Sequence, residues 1–207
     1  MNRLAWIILV LQAAVLPQQT AKLEVEEQRD IYSIYSAMIT SPMTRLDSNE
    51  AIYLIQESTI KDSGAPTCVK TPPGDAAAMA EITAEYNRRG NDSSVLTREF
   101  KLPKPYELLD RDKSARFLQD ALDATPQILP PGASRPVNPN PLFPQAEQVF
   151  RFSDVYFDKT HTFALAWVAI YSTTVEYRGT WRPYKKTASG MWEENRTWTA
   201  CGRSRSA

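Results

Sequence analysis

The chain is short of the residues from which most catalytic and metal centres are built. Its 207 residues include one histidine, His161, two cysteines, Cys68 and Cys201, and seven glycines. One imidazole is too few for the common zinc sites, which combine several histidine and cysteine ligands. The scarcity of glycine leaves little material for a phosphate-cradling loop, and none is found. The signatures G-x-S-x-G, H-E-x-x-H and C-x-x-C are absent too, so nucleophilic and metalloprotease chemistry have no local support and no cofactor is implied. Excess charge is also missing: 24 Lys and Arg balance 24 Asp and Glu. A balanced chain sets up no field that would draw it to nucleic acid or to an anionic membrane. Arg178, Arg182, Lys185 and Lys186 therefore read as a solvated face, not as a nucleic-acid surface.

Long apolar runs are lacking as well. The longest, Leu4 to Leu16, is interrupted only by Gln12 and falls short of the roughly 20 residues that span a bilayer as a helix. Arg3 precedes it, and Pro17 and polar residues follow. That order, a positive end, a short apolar stretch and a polar exit, is the pattern of a secretory signal, with cleavage near Ala21. Residues 1–21 are accordingly set apart from the fold, and the mature protein is expected to be secreted or periplasmic, without a stable transmembrane span. Export bears on the cysteines. Cys68 and Cys201 form an even pair in a chain bound for an oxidising compartment, which allows one disulfide across a loop of more than a hundred residues; two separate thiols are the alternative.

What remains suffices for one ordinary domain and hardly for two. Spacings of three and four among Leu23, Ile31, Ile34, Tyr35 and Met38 predict an amphipathic helix that stops at Ser41-Pro42. AIYLIQES (51–58) reads as a buried strand. Asp75 is placed to cap a second helix, with Gly90 as its stop. PYELL (105–109) suggests another short strand, and Asp110 starts a third helix. A proline-dense connection from Thr125 to Gln145 cannot join a sheet interior. Beyond it the pattern predicts four antiparallel strands, at roughly 147–157, 162–171, 175–184 and 191–199. The expectation is a single α+β domain over 22–202, a mainly antiparallel sheet with a C-terminal four-strand meander and about three helices packed on one face. Residues 203–207 read as a loose tail.

Two stretches carry a resemblance. IYSIYSAMI followed by YLIQEST, and RFSDVYFDKTHTFALAWVAIY, resemble a group of exported bacterial proteins without an established activity. Members of that group have a "YSALL"-like helix and an "lSxVgFnxdxtxAlvyv"-like β-hairpin. Tyr35, Ser36, Ala37 and Thr59 match the opening, and Ser153, Val155, Phe157, Asp158, Thr160, Ala164 and Leu165 match the hairpin. The resemblance implies export and a helix-then-strand opening, and it carries no catalytic residue. Where many relatives have a cysteine-glycine turn after the central strand, this chain has Ser172-Thr173-Thr174, and Cys201-Gly202 follows the last strand instead.

His161 lies on the turn between two predicted strands and reads as a solvent-facing turn residue, with Asp154 and Asp158 as its nearest titratable neighbours. The aromatic residues offer the alternative of interest. Tyr177, Trp181, Tyr184, Trp192 and Trp198, with Tyr171 beside them, form a stacking surface for sugars or an apolar partner if exposed, and one packed face of the sheet if buried. Function follows as an expectation: a non-catalytic binding or envelope-associated domain whose partner is an envelope protein or glycan. The alternative is a hydrolase acting on sugar or cell-wall polymers through dispersed carboxylates, which leave no local signature.

Overall fold

A computed structural model describes residues 24–42, 51–60, 65–89, 93–124, 143, 146, 148–172 and 176–206. The signal segment 1–21, Gly90 and most of the proline-dense connection lie outside these residues. The described residues form three α-helices: α1 (24–40), α2 (Ala76–Arg88) and α3 (Arg111–Ala124). The strands are β1 (Tyr53–Gln56), β2 (Tyr106–Leu109), β3 (Gln148–Phe152), β4 (Tyr156–Phe157), β5 (Phe163–Ser172), β6 (Glu176–Lys186), β7 (Trp192–Glu194) and β8 (Cys201–Ser206). They form one eight-stranded sheet in the order β2-β1-β3-β5-β6-β7, with β4 also on β5 and β8 also on β6. The fold is α+β. Among the described residues no helix is long and apolar enough to cross a membrane.

The sheet is mixed rather than a pure meander. β1 pairs in parallel with β2 and with β3, and the remaining pairs are antiparallel. Parallel neighbours need a crossover, and α2 supplies one between β1 and β2. All four residues of β1 are buried, as a parallel strand covered on both faces requires.

The helices, expected from the sequence to pack on one face, cover both. On one side α1 lays Tyr35, Met38 and Ile39 over Phe152, Val168, Ile170 and Tyr184. On the other, α2 packs Ile82 and Tyr86 against Tyr156, Leu165, Trp167 and Trp181. α3 covers the same side farther along, with Phe117 on Leu54 and Val149. The cause lies in β5, which is apolar at both its odd and its even positions, so each face must be covered. Its bulky face meets α2, and the smaller Ala164, Ala166 and Val168 leave room for the tyrosine-rich α1.

Three local expectations change. The strand predicted at 147–157 breaks into β3 and β4, because the Ser153 hydroxyl takes the Trp167 N–H at 2.8 Å and donates to the Asp154 carbonyl at 2.7 Å, interrupting the ladder. The last predicted strand stops at Glu194, where the Asn195 side chain accepts from the N–H and the hydroxyl of Thr197 and turns the chain. The tail read as loose becomes β8, which pairs with β6 from Glu176 to Trp181. Cys201, at its start, is disulfide-bonded to Cys68, with Cα atoms 5.8 Å apart. Lys70 and Thr199 exchange two backbone hydrogen bonds beside the bridge. Of the two helix caps, Asp110 accepts the Lys113 N–H at 2.7 Å, whereas Asp75 instead takes the indole N–H of Trp198 at 2.7 Å.

Candidate functional site

Of the two readings of the aromatic residues, the buried one is what the structure shows. Trp181, Tyr184, Trp192 and Trp198 are buried and Tyr177 is half-buried, so they do not form a platform. Trp181 packs on Tyr86 and Trp167, Trp198 stacks on Phe163, and Trp192 packs on Phe157. Tyr177 meets Tyr171 at 5.0 Å. Trp192 and Trp198, expected on one face, lie on opposite faces because the Asn195 turn separates them. Burial pushes the Tyr184 phenol well above the usual tyrosine range, as Glu194 does to a lesser degree.

The concave feature of interest is elsewhere. α2 turns Ile82 and Tyr86 into the core, which leaves Ala80, Glu81, Ala84, Glu85 and Arg88 along its flank, three and four residues apart. The β4–β5 hairpin stands opposite. Between them runs a groove of about 630 Å³ that α1 reaches through Glu27. The hairpin is built by Asp158, a buried carboxylate that accepts the N–H groups of Thr162 and Phe163 at 2.8 and 2.7 Å and the hydroxyl of Thr160. Its carbonyl accepts the His161 N–H at 3.0 Å. This tight turn holds His161 at φ 51°, a left-handed conformation that few residues other than glycine adopt and that histidine tolerates better than most. The imidazole consequently lies flat on Phe157, with ring centres 4.7 Å apart and planes within 6°. His161 is therefore half-buried in a groove wall rather than freely exposed.

Opposite charges meet along the groove. Arg88 grips Glu85 with Nη2 at 2.6 Å and Nε at 2.8 Å, and Arg89 Nε reaches the same carboxylate at 2.9 Å. Hydrogen bonding from Arg88, joined by Arg89 and opposed by partial burial, holds the Glu85 carboxyl below the usual range. Arg89 extends inward to Asp154 at 3.4 Å and to Glu27 at 3.5 Å, and lies over the Tyr156 ring. At the other end Glu81 accepts the Lys159 N–H at 3.0 Å and faces its ammonium at 3.6 Å. A general acid needs a raised carboxyl pKa; Glu85 moves the other way.

The effect of Glu85 on acid stability has a definite sign. A carboxyl lowered in the folded state contributes stability above its unfolded pKa and loses it as pH falls through the folded value. Glu85→Gln is expected to flatten the acid limb of a stability curve measured by thermal melts from about pH 7 to about pH 3. An acid limb as steep as that of the wild type would show that the Arg88 contact stabilises nothing.

Both cysteines are in the disulfide, which removes a Cys–His pair with His161. The S-x-x-K spacing, expected to be absent like the other nucleophile signatures, does occur as Ser58-Thr59-Ile60-Lys61, but it follows β1, and Ser58 forms an isolated bridge with Val95. Lys61 lies outside the described residues. Glu81, Glu85, Arg88 and Arg89 escape sequence reading because charges on the flank of a helix look like ordinary solvated positions; the hairpin that faces them is some 70 residues away. No protein-family model, curated protein sequence or solved structure matches this chain.

Proposed function

We propose that the chain is an exported, non-catalytic binding domain, secreted or envelope-associated, that takes its ligand in the groove between α2 and the β4–β5 hairpin. The observation that carries this reading is the commitment of the groove's acids. Glu85 is held by two guanidiniums, Glu81 by the Lys159 backbone and ammonium, and Asp158 by two backbone amides. Glu85, its carboxyl lowered chiefly by the Arg88 contact, is a poor proton donor, and all three acids are oriented by hydrogen bonds as recognition groups. Export is supported by Arg3 and the apolar run Leu4 to Leu16, by the resemblance to exported bacterial proteins, and by a disulfide of the kind that persists in oxidising compartments.

The test is a melting experiment on the chain from Lys22 against sugars, peptidoglycan fragments, divalent metals, nucleotides and lipids. A ligand that binds only the native state raises the midpoint by an amount set by its concentration over its Kd, about 2.7 kcal/mol of stabilisation at a hundredfold excess. A reproducible shift with one class, and no turnover of it, is the expected result. Release of reducing ends from a cell-wall or sugar polymer would replace the binding reading with hydrolysis through dispersed carboxylates.

A further inference from the structure

We propose that the groove accommodates a short peptide bearing both a free amine and a free carboxylate. The inference rests on the binding reading above and names its ligand class. From Glu81 to Arg88 the lining follows α2 for about two turns, roughly 10 Å, the length of an extended peptide of about three residues. Alanines at 80 and 84 leave that strip open, and the flat His161–Phe157 pair forms the opposite wall. The two ends carry charges of both signs. A singly charged ligand therefore meets as much repulsion as attraction, whereas a doubly charged one can exchange ion-pair partners at both ends.

Each acid keeps an inner contact, the Lys159 N–H for Glu81 and Arg89 Nε for Glu85, so only the outer ammonium and guanidinium are exchanged. The Arg88 side chain is 70% exposed, and Lys159 is 84% exposed at 3.6 Å from Glu81. Ion pairs so open to water hold weakly. Arg89 is different: its side chain is 24% exposed and is fixed by Glu85, Asp154 and Glu27, so it keeps the frame in place. The peptide carboxylate goes to Arg88 and the ammonium to Glu81, displacing the Lys159 ammonium. Among the described residues the tryptophans are interior, so no tryptophan platform for a sugar lines the groove.

The test uses the chain from Lys22, with its disulfide formed, in titration calorimetry at low salt. Trialanine is compared with its N-acetyl and C-amide forms and with a disaccharide-tripeptide fragment of cell wall. Trialanine is expected to bind, and each blocked form to bind about two- to fivefold more weakly, since each loses one exposed ion pair. Glu81→Gln should erase the preference for a free amine, and Arg88→Gln the preference for a free carboxylate. Arg88→Gln alters an exposed side chain and keeps the fold, so it remains decisive if Glu81→Gln does not. The fragment's first amine is blocked by its amide bond to the sugar, so it should bind as weakly as N-acetyl trialanine; tighter binding than trialanine would overturn the reading of a free amine. Equal binding of free and blocked peptides overturns the inference, as does silence from trialanine with folded protein. If trialanine is silent while another class shifts the midpoint, the peptide falls and the binding reading stands. If glycan is hydrolysed, both fall.

Discussion

Replacing both cysteines, as Cys68→Ser with Cys201→Ser, is expected to cost about 5 kcal/mol of stability. The bridge joins residues 133 apart in sequence, and in the chain-entropy treatment a loop that long gives close to the largest effect a single disulfide delivers. For a domain of this size the melting temperature should fall by about 10–20 °C. The loss should also be local before it is global. Cys201 opens β8, a six-residue strand held on one side by β6, while Cys68 closes the 3₁₀ turn Pro66–Cys68 beside the Lys70–Thr199 bridge. Without the bond, β8 depends on its pairing to β6 alone, so its amides should exchange with solvent well before those of β5. Melting curves with and without reductant, together with amide exchange, test both parts. A reduced protein with two titratable thiols and an unchanged midpoint would mean that β8 and the Pro66 turn are held without the bond.

The same strand shows where sequence reading ends. Helices α1, α2 and α3 were legible because their apolar residues recur with helical spacing. β5 and β6 were legible from β-forming residues between turn signals. β8 was not, since Cys-Gly-Arg-Ser-Arg-Ser has no apolar alternation; it is a strand because β6 offers it a ladder and the disulfide brings it there. Gly202 belongs to that contact, as a Cβ there would lie 2.4 Å from the Gly179 carbonyl. The parallel pairing of β1 with β2 and β3 was equally hidden, because short buried strands carry no mark of direction or register.

The single covered face was an error with a traceable origin. In β6, Tyr177 and Trp181 alternate with Arg178, Thr180 and Arg182, the pattern of one wet and one dry side. Yet Arg182 is buried and paired with Glu194 at 2.7 Å, so a charged residue stands inside the layer under α1. The doubly apolar β5 was the better guide, since it requires cover on both faces. For the site, the turn holding His161 was legible, but not its left-handed backbone nor the helix it faces. Trp181 is buried, as its alternation with charged positions suggests, whereas Tyr177 is only half-buried; alternation could not show that Tyr184 and Trp192 are buried beneath the other layer.

Asp154 joins the fold to the groove, and its removal is the second large effect expected. The carboxylate is buried, accepting the Thr59 hydroxyl at 2.7 Å through Oδ1 and facing Arg89 at 3.4 Å through Oδ2. Thr59 in turn accepts the Ser94 N–H at 2.8 Å, so Asp154 ties the segment after β1 and the end of α2 to the β3–β4 break. Asp154 also adds to the burial that raises the phenols of Tyr35 and Tyr156. Asp154→Ala strands the Thr59 hydroxyl and part of the Arg89 charge, and removing one partner of a buried ion pair costs about 3 kcal/mol or somewhat more. Asp154→Asn keeps an acceptor for Thr59 and should cost clearly less. Arg89→Met should be as damaging as the alanine variant, because it leaves the Asp154 charge buried. Combined with Asp154→Asn it should cost less than the sum of the two single changes, and the difference measures the coupling across the pair. Strict additivity in denaturant melts would mean that Glu85 and Glu27 alone hold Arg89 in place. Asp154 would then be a structural partner of Thr59, without influence on the groove above it.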